Sequence, residues 1–191
     1  MGALGCPDEK PAPPAARFDG VASSPKALTD EKRFCDKTWP AAARPFQMPA
    51  TKPLEGATTA EHGRGWRWVN VWATWCAPCV DEMALLTKWR VAFEKDGLDL
   101  SFEMISIDET EAQPAMKSWL GRLPGSLWWV QTPDDLPSWL ERSVGISADS
   151  AIPIHILVDP AGAQRCVRVG AVHAQDYGAV RALLAEAAQP R

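Results

Sequence analysis

Along residues 66–188 the hydrophobic positions switch repeatedly between strand-like and helix-like spacing. Trp66-Arg67-Trp68-Val69-Asn70-Val71-Trp72 concentrates aromatic and β-branched residues and predicts a buried strand. Across 79–95, Val80, Met83, Leu86, Trp89, Val91 and Phe93 fall roughly on a helical stripe, and Gly97 follows where a helix C-cap belongs. Residues 98–107 alternate and then become continuously apolar, a second strand. A helix is predicted over 110–121, with Thr110 as N-cap, Pro114 in an early turn and Met116, Trp119 and Leu120 facing inward. Leu127–Val130 is a short strand, and Pro137–Val144 a short helix ended by Gly145. Ile154–Val158 and Arg165–Val169 form a hairpin around Asp159-Pro160-Ala161-Gly162, where Pro presets φ and Gly accepts positive φ. Residues 176–188 close the chain as an amphipathic helix through Val180, Leu183 and Leu184. The order β-α-β-α-β-α-β-β-α predicts an α/β fold, a central mixed sheet with helices on both faces.

Composition adds a boundary. Nine of the seventeen prolines lie within the first 53 residues, where each restricts its predecessor and removes a backbone donor. Residues 1–50 are therefore expected to form an extended Pro/Ala-rich arm, a tether over 1–25, with residues 51–191 as the folded domain. From about residue 33 the arm carries Phe34, Trp39, Phe46 and Met48, apolar enough to dock on that domain as an edge strand or packed meander. Twenty Lys and Arg against 24 Asp and Glu give a net charge of -4, the wrong sign for binding nucleic acid. No uncharged apolar run approaches the ~20 residues of a membrane span. Ala3-Leu4-Gly5-Cys6 resembles the lipobox of bacterial lipoproteins, which would make Cys6 an acyl anchor. Only five residues precede Cys6, too few for a secretion signal, and a cysteine in a loose tail is the competing reading.

The chemistry concentrates in Trp75-Cys76-Ala77-Pro78-Cys79, at the handover from the first strand to the first helix. A cysteine at a helix N-terminus meets unpaired N–H groups and the positive end of the helix dipole, which stabilise a thiolate. A spacing of three residues puts the second sulfur one turn on, within disulfide reach. Beside a βαβ pattern this is a redox signature, against the alternatives of a static disulfide or half a zinc site.

The segment Val69–Met83 closely resembles the active-site segment of TlpA-like thiol–disulfide oxidoreductases, extracytoplasmic thioredoxin-fold proteins that include reductases of cytochrome c maturation. Ile152-Pro153, the strand Ile154–Val158 and the Asp159–Gly162 turn extend the resemblance, which runs from about residue 50 to 188. It implies a thioredoxin-like fold, Cys76 as the exposed nucleophile and Cys79 as the buried resolving thiol. Pro153 would be a cis-proline facing them, and Ile152 would offer backbone groups to an extended substrate segment. Trp72 and Trp75 would line the surface around the disulfide, with Trp75 as a contact platform; Ala77 and Pro78 complete the substrate-contact set. Glu82, one turn after Cys79, would take the Cys79 proton during attack and return it; a surface helix Glu is the bland alternative. Asn70 stands where cytosolic thioredoxins carry a buried acid, leaving proton transfer to Glu82 or water. The partners implied are protein thiols and disulfides with a membrane or soluble thiol electron donor, in a periplasmic or other extracytoplasmic setting. Neither a cofactor nor a metal is expected.

Cys35 and Cys166 fall outside the family pattern. They are expected either to bridge, stapling the arm to the sheet, or to remain separate buried thiols. His155, in a core strand, is expected to be a hydrogen-bonded interior residue; His62 and His173 are scattered. Three rivals stand beside this reading: a thiol peroxidase, disfavoured by the resolving Cys79; a copper chaperone using Cys76 and Cys79 as soft ligands; and a binding module, disfavoured because the arm shows no recognition motif.

Overall fold

A computed structural model of the chain describes residues 34–57 and 64–186. In chain order the elements are β1 (Lys37–Thr38), β2 (Thr51–Pro53), β3 (Trp66–Trp72), α1 (Ala77–Lys95), β4 (Leu100–Ser106), α2 (Gln113–Lys117), β5 (Ser126–Val130), α3 (Leu136–Trp139), β6 (Ile154–Val158), β7 (Gln164–Val169) and α4 (Tyr177–Glu186). The strands form one seven-stranded sheet in the order β1-β7-β6-β3-β4-β5-β2. β3, β4 and β5 run parallel, whereas β6, β7, β1 and β2 each pair antiparallel. Parallel neighbours require crossover connections, and α1 provides the first.

The alternation of β3 sorts the core into two layers. Trp68 and Trp72 join one cluster with Met83, Leu86 and Phe93 of α1 and Val180 and Leu184 of α4. Val69 and Val71 join the opposite cluster with Trp139 and Val144, backed by Trp39, Phe46 and Met48 of the N-terminal segment. Both faces of the sheet are thus covered, and β3 is buried along almost its whole length. This is the mixed sheet with helices on both faces that the hydrophobic pattern predicts.

Several local expectations are corrected. The helix predicted over 110–121 is a 3-10 turn, Thr110–Ala112, followed by the single α-turn α2. Glu109, not Thr110, precedes the turn, and no side chain caps it. Pro114 sits within the first two positions of α2, where its missing N–H costs nothing. The helix predicted over 137–144 starts as α3 and widens into a π-helical turn, Leu140–Val144, before Gly145 turns left-handed at φ 83°. β2 lies in a proline-bearing segment that hydrophobic periodicity leaves blank, because its three residues gain their place by pairing with β5.

The N-terminal segment is fastened along one sheet edge. Cys35 and Cys166 are joined by a disulfide with Cα atoms 5.5 Å apart. Around it, Asp36 N–H donates to Val167 O at 2.8 Å, and the Arg168 guanidinium donates to Phe34 O at 3.2 Å. Phe34 is buried and meets Trp68 edge-on, with ring centroids 6.0 Å apart.

At the start of β5 the chain passes so near β4 that only glycine fits. A Cβ on Gly125 would sit 1.9 Å from the Phe102 carbonyl oxygen and 2.6 Å from its carbonyl carbon. Both neighbours are backbone, so neither can swing aside. Gly125→Ala is expected to cost about 1–3 kcal/mol, the range for overpacked interiors; guanidinium denaturation followed by Trp fluorescence reads it.

Residues 1–33, including the tether and the Cys6 anchor expected from sequence, lie outside the described residues, as do His62 and residues 187–191. Among the described residues, no helix is long and apolar enough to cross a membrane.

Candidate active site

β3 ends at Trp72, and the chain turns through Ala73 and Thr74 before α1 begins. Cys76 is the N-cap of α1, in extended conformation (φ -85°, ψ 99°), and its sulfur accepts the Cys79 N–H at 3.3 Å. One of the orphan donors at the helix start is thereby aimed at the first sulfur. Pro78, in the first turn, supplies no N–H to compete. Cys76 and Cys79 form a disulfide with Cα atoms 5.2 Å apart.

Facing the pair is the loop before β6, where Ile152-Pro153 is a cis peptide. The Ile152 carbonyl oxygen lies 3.7 Å from the Cys76 sulfur. An open groove of about 460 Å³ runs past the disulfide, lined mainly by apolar atoms of Trp75, Cys76, Ala77, Pro78, Ile107, Ala151 and Ile152. Trp75 is 67% exposed beside it. Cys76 retains only 5% of its surface and Cys79 none. Cys76 is therefore less exposed than the resemblance implies, because the groove walls shade it.

The turn between β3 and α1 is held from outside by Asp108. Its fully buried carboxylate accepts the Thr74 N–H at 3.0 and 3.1 Å, the Thr74 hydroxyl at 2.7 Å and the Ser106 hydroxyl at 2.7 Å. The Asp108 carbonyl accepts the Trp129 indole N–H at 2.8 Å. Asp108→Ala strands several of these donors, so a loss of about 2–3 kcal/mol is expected. Thermal or chemical denaturation measures that loss, and Asp108→Asn should recover part of it.

Beneath the disulfide, between α1 and the sheet, lies a buried polar cluster. Glu82 is 4% exposed, and Asn70 and His155 are fully buried. Glu82 Oε1 accepts from the Asn70 amide at 3.0 Å, and Oε2 accepts from the Val172 N–H at 2.8 Å. His155 Nε2 stands 3.4 Å from the same Oε2. The far ring nitrogen, Nδ1, lies 3.1 Å from both the Trp68 indole nitrogen and the Asn70 amide nitrogen. Glu82 is thus no surface helix carboxylate; Asp81, its neighbour, is exposed. Among the described residues, no three His, Cys, Asp or Glu side chains converge as a metal site.

No family model matches the chain. Among solved structures, an uncharacterized thioredoxin-like protein from Porphyromonas gingivalis superposes with a TM-score of 0.56 at 19% identity, over 75% of this chain and 94% of that one. The chain has the thioredoxin fold. Two further similar structures are the thioredoxin domain of a thiol-disulfide oxidoreductase from Bacteroides vulgatus and StoA from Bacillus subtilis. The first matches at TM-score 0.49 and 25% identity over 63% of this chain and 79% of that one. The second matches at TM-score 0.48 and 17% identity over 70% and 98%.

In this thioredoxin fold the residues singled out by sequence meet at one end of the sheet. Cys76, Trp75, Ala77, Pro78 and Ile152 surround the groove, with Cys79 and Pro153 buried behind it and Glu82 one helical turn below. Trp72 does not line that surface. It is fully buried and packs edge-on against Trp119 at 5.7 Å, because the β3 alternation turns it towards the helices with Trp68. Asp108 and His155 join the site only through the fold. Asp108 carries a faint signal, standing just past β4, the strand parallel to β3. His155 carries none beyond its place two residues after Pro153, since only the β3–β6 register sets it opposite Asn70.

Proposed function

We propose that the chain is a thiol–disulfide oxidoreductase, a reductase of protein disulfides in the cell envelope. The observation that carries this reading is the Cys76–Cys79 disulfide at the start of α1, opened to one groove and 3.7 Å from the Ile152 carbonyl. The reduced pair would work in two displacements. The Cys76 thiolate attacks one sulfur of a substrate disulfide, forming a mixed disulfide and releasing the other substrate sulfur as a thiolate. Cys79 then gives its proton to Glu82 and attacks Cys76. The Cys76–substrate bond breaks, the second substrate sulfur leaves with the electron pair, and the Cys76–Cys79 bond closes. Two electrons pass from the pair to the substrate, and a thiol donor restores them.

Trp75, Ala77, Pro78 and Ile152 are the proposed contact residues. The apolar groove and the bare indole suit an extended segment that presents an apolar side chain beside its cysteine. Recognition through backbone groups near Ile152 and Pro153 gives breadth rather than sequence preference. An extracytoplasmic setting is favoured by the second disulfide, since structural disulfides persist in oxidising compartments. We place catalysis in residues 51–191, with 1–50 as a partly docked arm and Cys6 as its candidate acyl anchor. The direction of electron flow and a role in cytochrome c maturation follow from the TlpA-like resemblance.

Catalysed reduction of insulin by a small dithiol tests the activity, with the midpoint potential of the pair as the test of direction. A value near about -270 mV fits a reductase, and one near about -120 mV reverses the assignment. Stoichiometric Cu(I) binding by the reduced pair without insulin reduction would favour the metal-chaperone alternative.

A further inference from the structure

The oxidoreductase reading uses Glu82 but leaves its fully buried neighbour His155 without a task. Hydrogen-bond roles assign one. An indole N–H can only donate, and the Trp68 indole nitrogen lies 3.1 Å from His155 Nδ1. Nδ1 must therefore present its lone pair. The Asn70 amide, also 3.1 Å away, is a donor as well. A ring accepting at Nδ1 carries its proton on Nε2. Doubly protonated, it would set an N–H against the indole N–H.

Nε2 faces Glu82 Oε2 at 3.4 Å, and among the described residues it has no hydrogen-bond partner. A buried donor in that condition is costly, and such contacts often tighten as a site works. Asn70 uses one amide hydrogen on Glu82 Oε1 and the other on Nδ1, locking the two side chains in one orientation. Glu82 is consequently met by hydrogen-bond donors on both oxygens, Asn70 and the Val172 N–H, while the His155 N–H faces Oε2 at 3.4 Å without closing a hydrogen bond.

We propose that His155, fixed as its Nε2-protonated neutral tautomer by Trp68 and Asn70, is the positioning residue that holds the Glu82 carboxylate ready to exchange a proton with Cys79. This rests on the oxidoreductase reading. His155 touches no substrate; it acts through Glu82, one helical turn from the resolving sulfur. A merely space-filling histidine would have the same tautomer but no energetic link to Glu82.

Two measurements test it. Long-range ¹H–¹⁵N spectra of the oxidised protein should show His155 neutral and protonated at Nε2. Stopped-flow closure of a preformed Cys76 mixed disulfide should slow about tenfold in His155→Leu, a fraction of what general acid–base catalysis supplies. His155→Gln, whose amide can replace the Nε2 donor, should restore the rate to within about threefold. In a Glu82→Gln background His155→Leu should add nothing further. A cycling wild type whose ring is protonated at Nδ1, or whose His155 and Glu82 effects are additive, overturns this inference alone. A wild type whose cysteine pair does not cycle overturns the oxidoreductase reading and this inference together.

Discussion

Cys76→Ser is expected to reduce catalysed disulfide turnover to the background rate of the donor dithiol, while Cys79→Ser accumulates a covalent adduct with the substrate. The asymmetry follows from placement. Cys76 borders the groove and receives the Cys79 N–H at the helix start, so it is the sulfur a visiting disulfide can reach. Cys79 is fully buried, beyond the reach of a protein substrate but bonded to Cys76. Removing the first sulfur leaves no entry point. Removing the second leaves entry intact and blocks the exit, because among the described residues the two other cysteines are bonded to each other. Non-reducing electrophoresis with intact-mass analysis reads both outcomes. Adduct formation in Cys76→Ser through Cys79 would reverse the assigned roles.

The second large effect is on stability. The Cys35–Cys166 bridge spans 131 residues of sequence, and closing a loop of that length restricts the unfolded chain by about 4–5 kcal/mol on the entropy model. Cys35→Ala/Cys166→Ala should lower the unfolding free energy by about that amount, with the usual reduction where the native state relaxes. The bridge also fixes the segment carrying Phe34, which packs on Trp68, the indole that orients His155. Peeling the segment away would therefore loosen the core beside the active site as well as one sheet edge. Guanidinium unfolding of the double variant, with Cys76–Cys79 kept oxidised, measures the difference. A change below about 1 kcal/mol would mean that the bridge constrains little.

Most of the sheet was legible because its strands bury large contiguous surfaces. The aromatic and β-branched run in β3, the Asp159–Gly162 turn and the stripe on α1 each state their structure locally. The region 110–121 misled because Met116, Trp119 and Leu120 mimic a helical face, although only Gln113–Lys117 is α-helical. Here packing against Trp72, rather than helix propensity, places Trp119. β2 was silent for the opposite reason: its identity comes from a partner strand, and its proline argues against a strand at all. At the site, the CxxC spacing and Ile152-Pro153 are written in the sequence, since their chemistry depends on residue type. The Glu82–Asn70–His155 cluster is not. It exists because antiparallel register brings β6 beside β3 and helix packing lowers Glu82 onto both. Asp108 is similar, a lone acid whose meaning depends on ending where the β3–α1 turn begins.

The most direct check is a thiol-labelling titration of the native protein across a series of dithiol redox buffers, resolved by peptide mass. Cys76 and Cys79 should open and close together, reversibly, as a two-electron couple while the protein stays folded. If that bond yields only when the protein unfolds, the chain does not exchange disulfides, and the catalytic account is wrong.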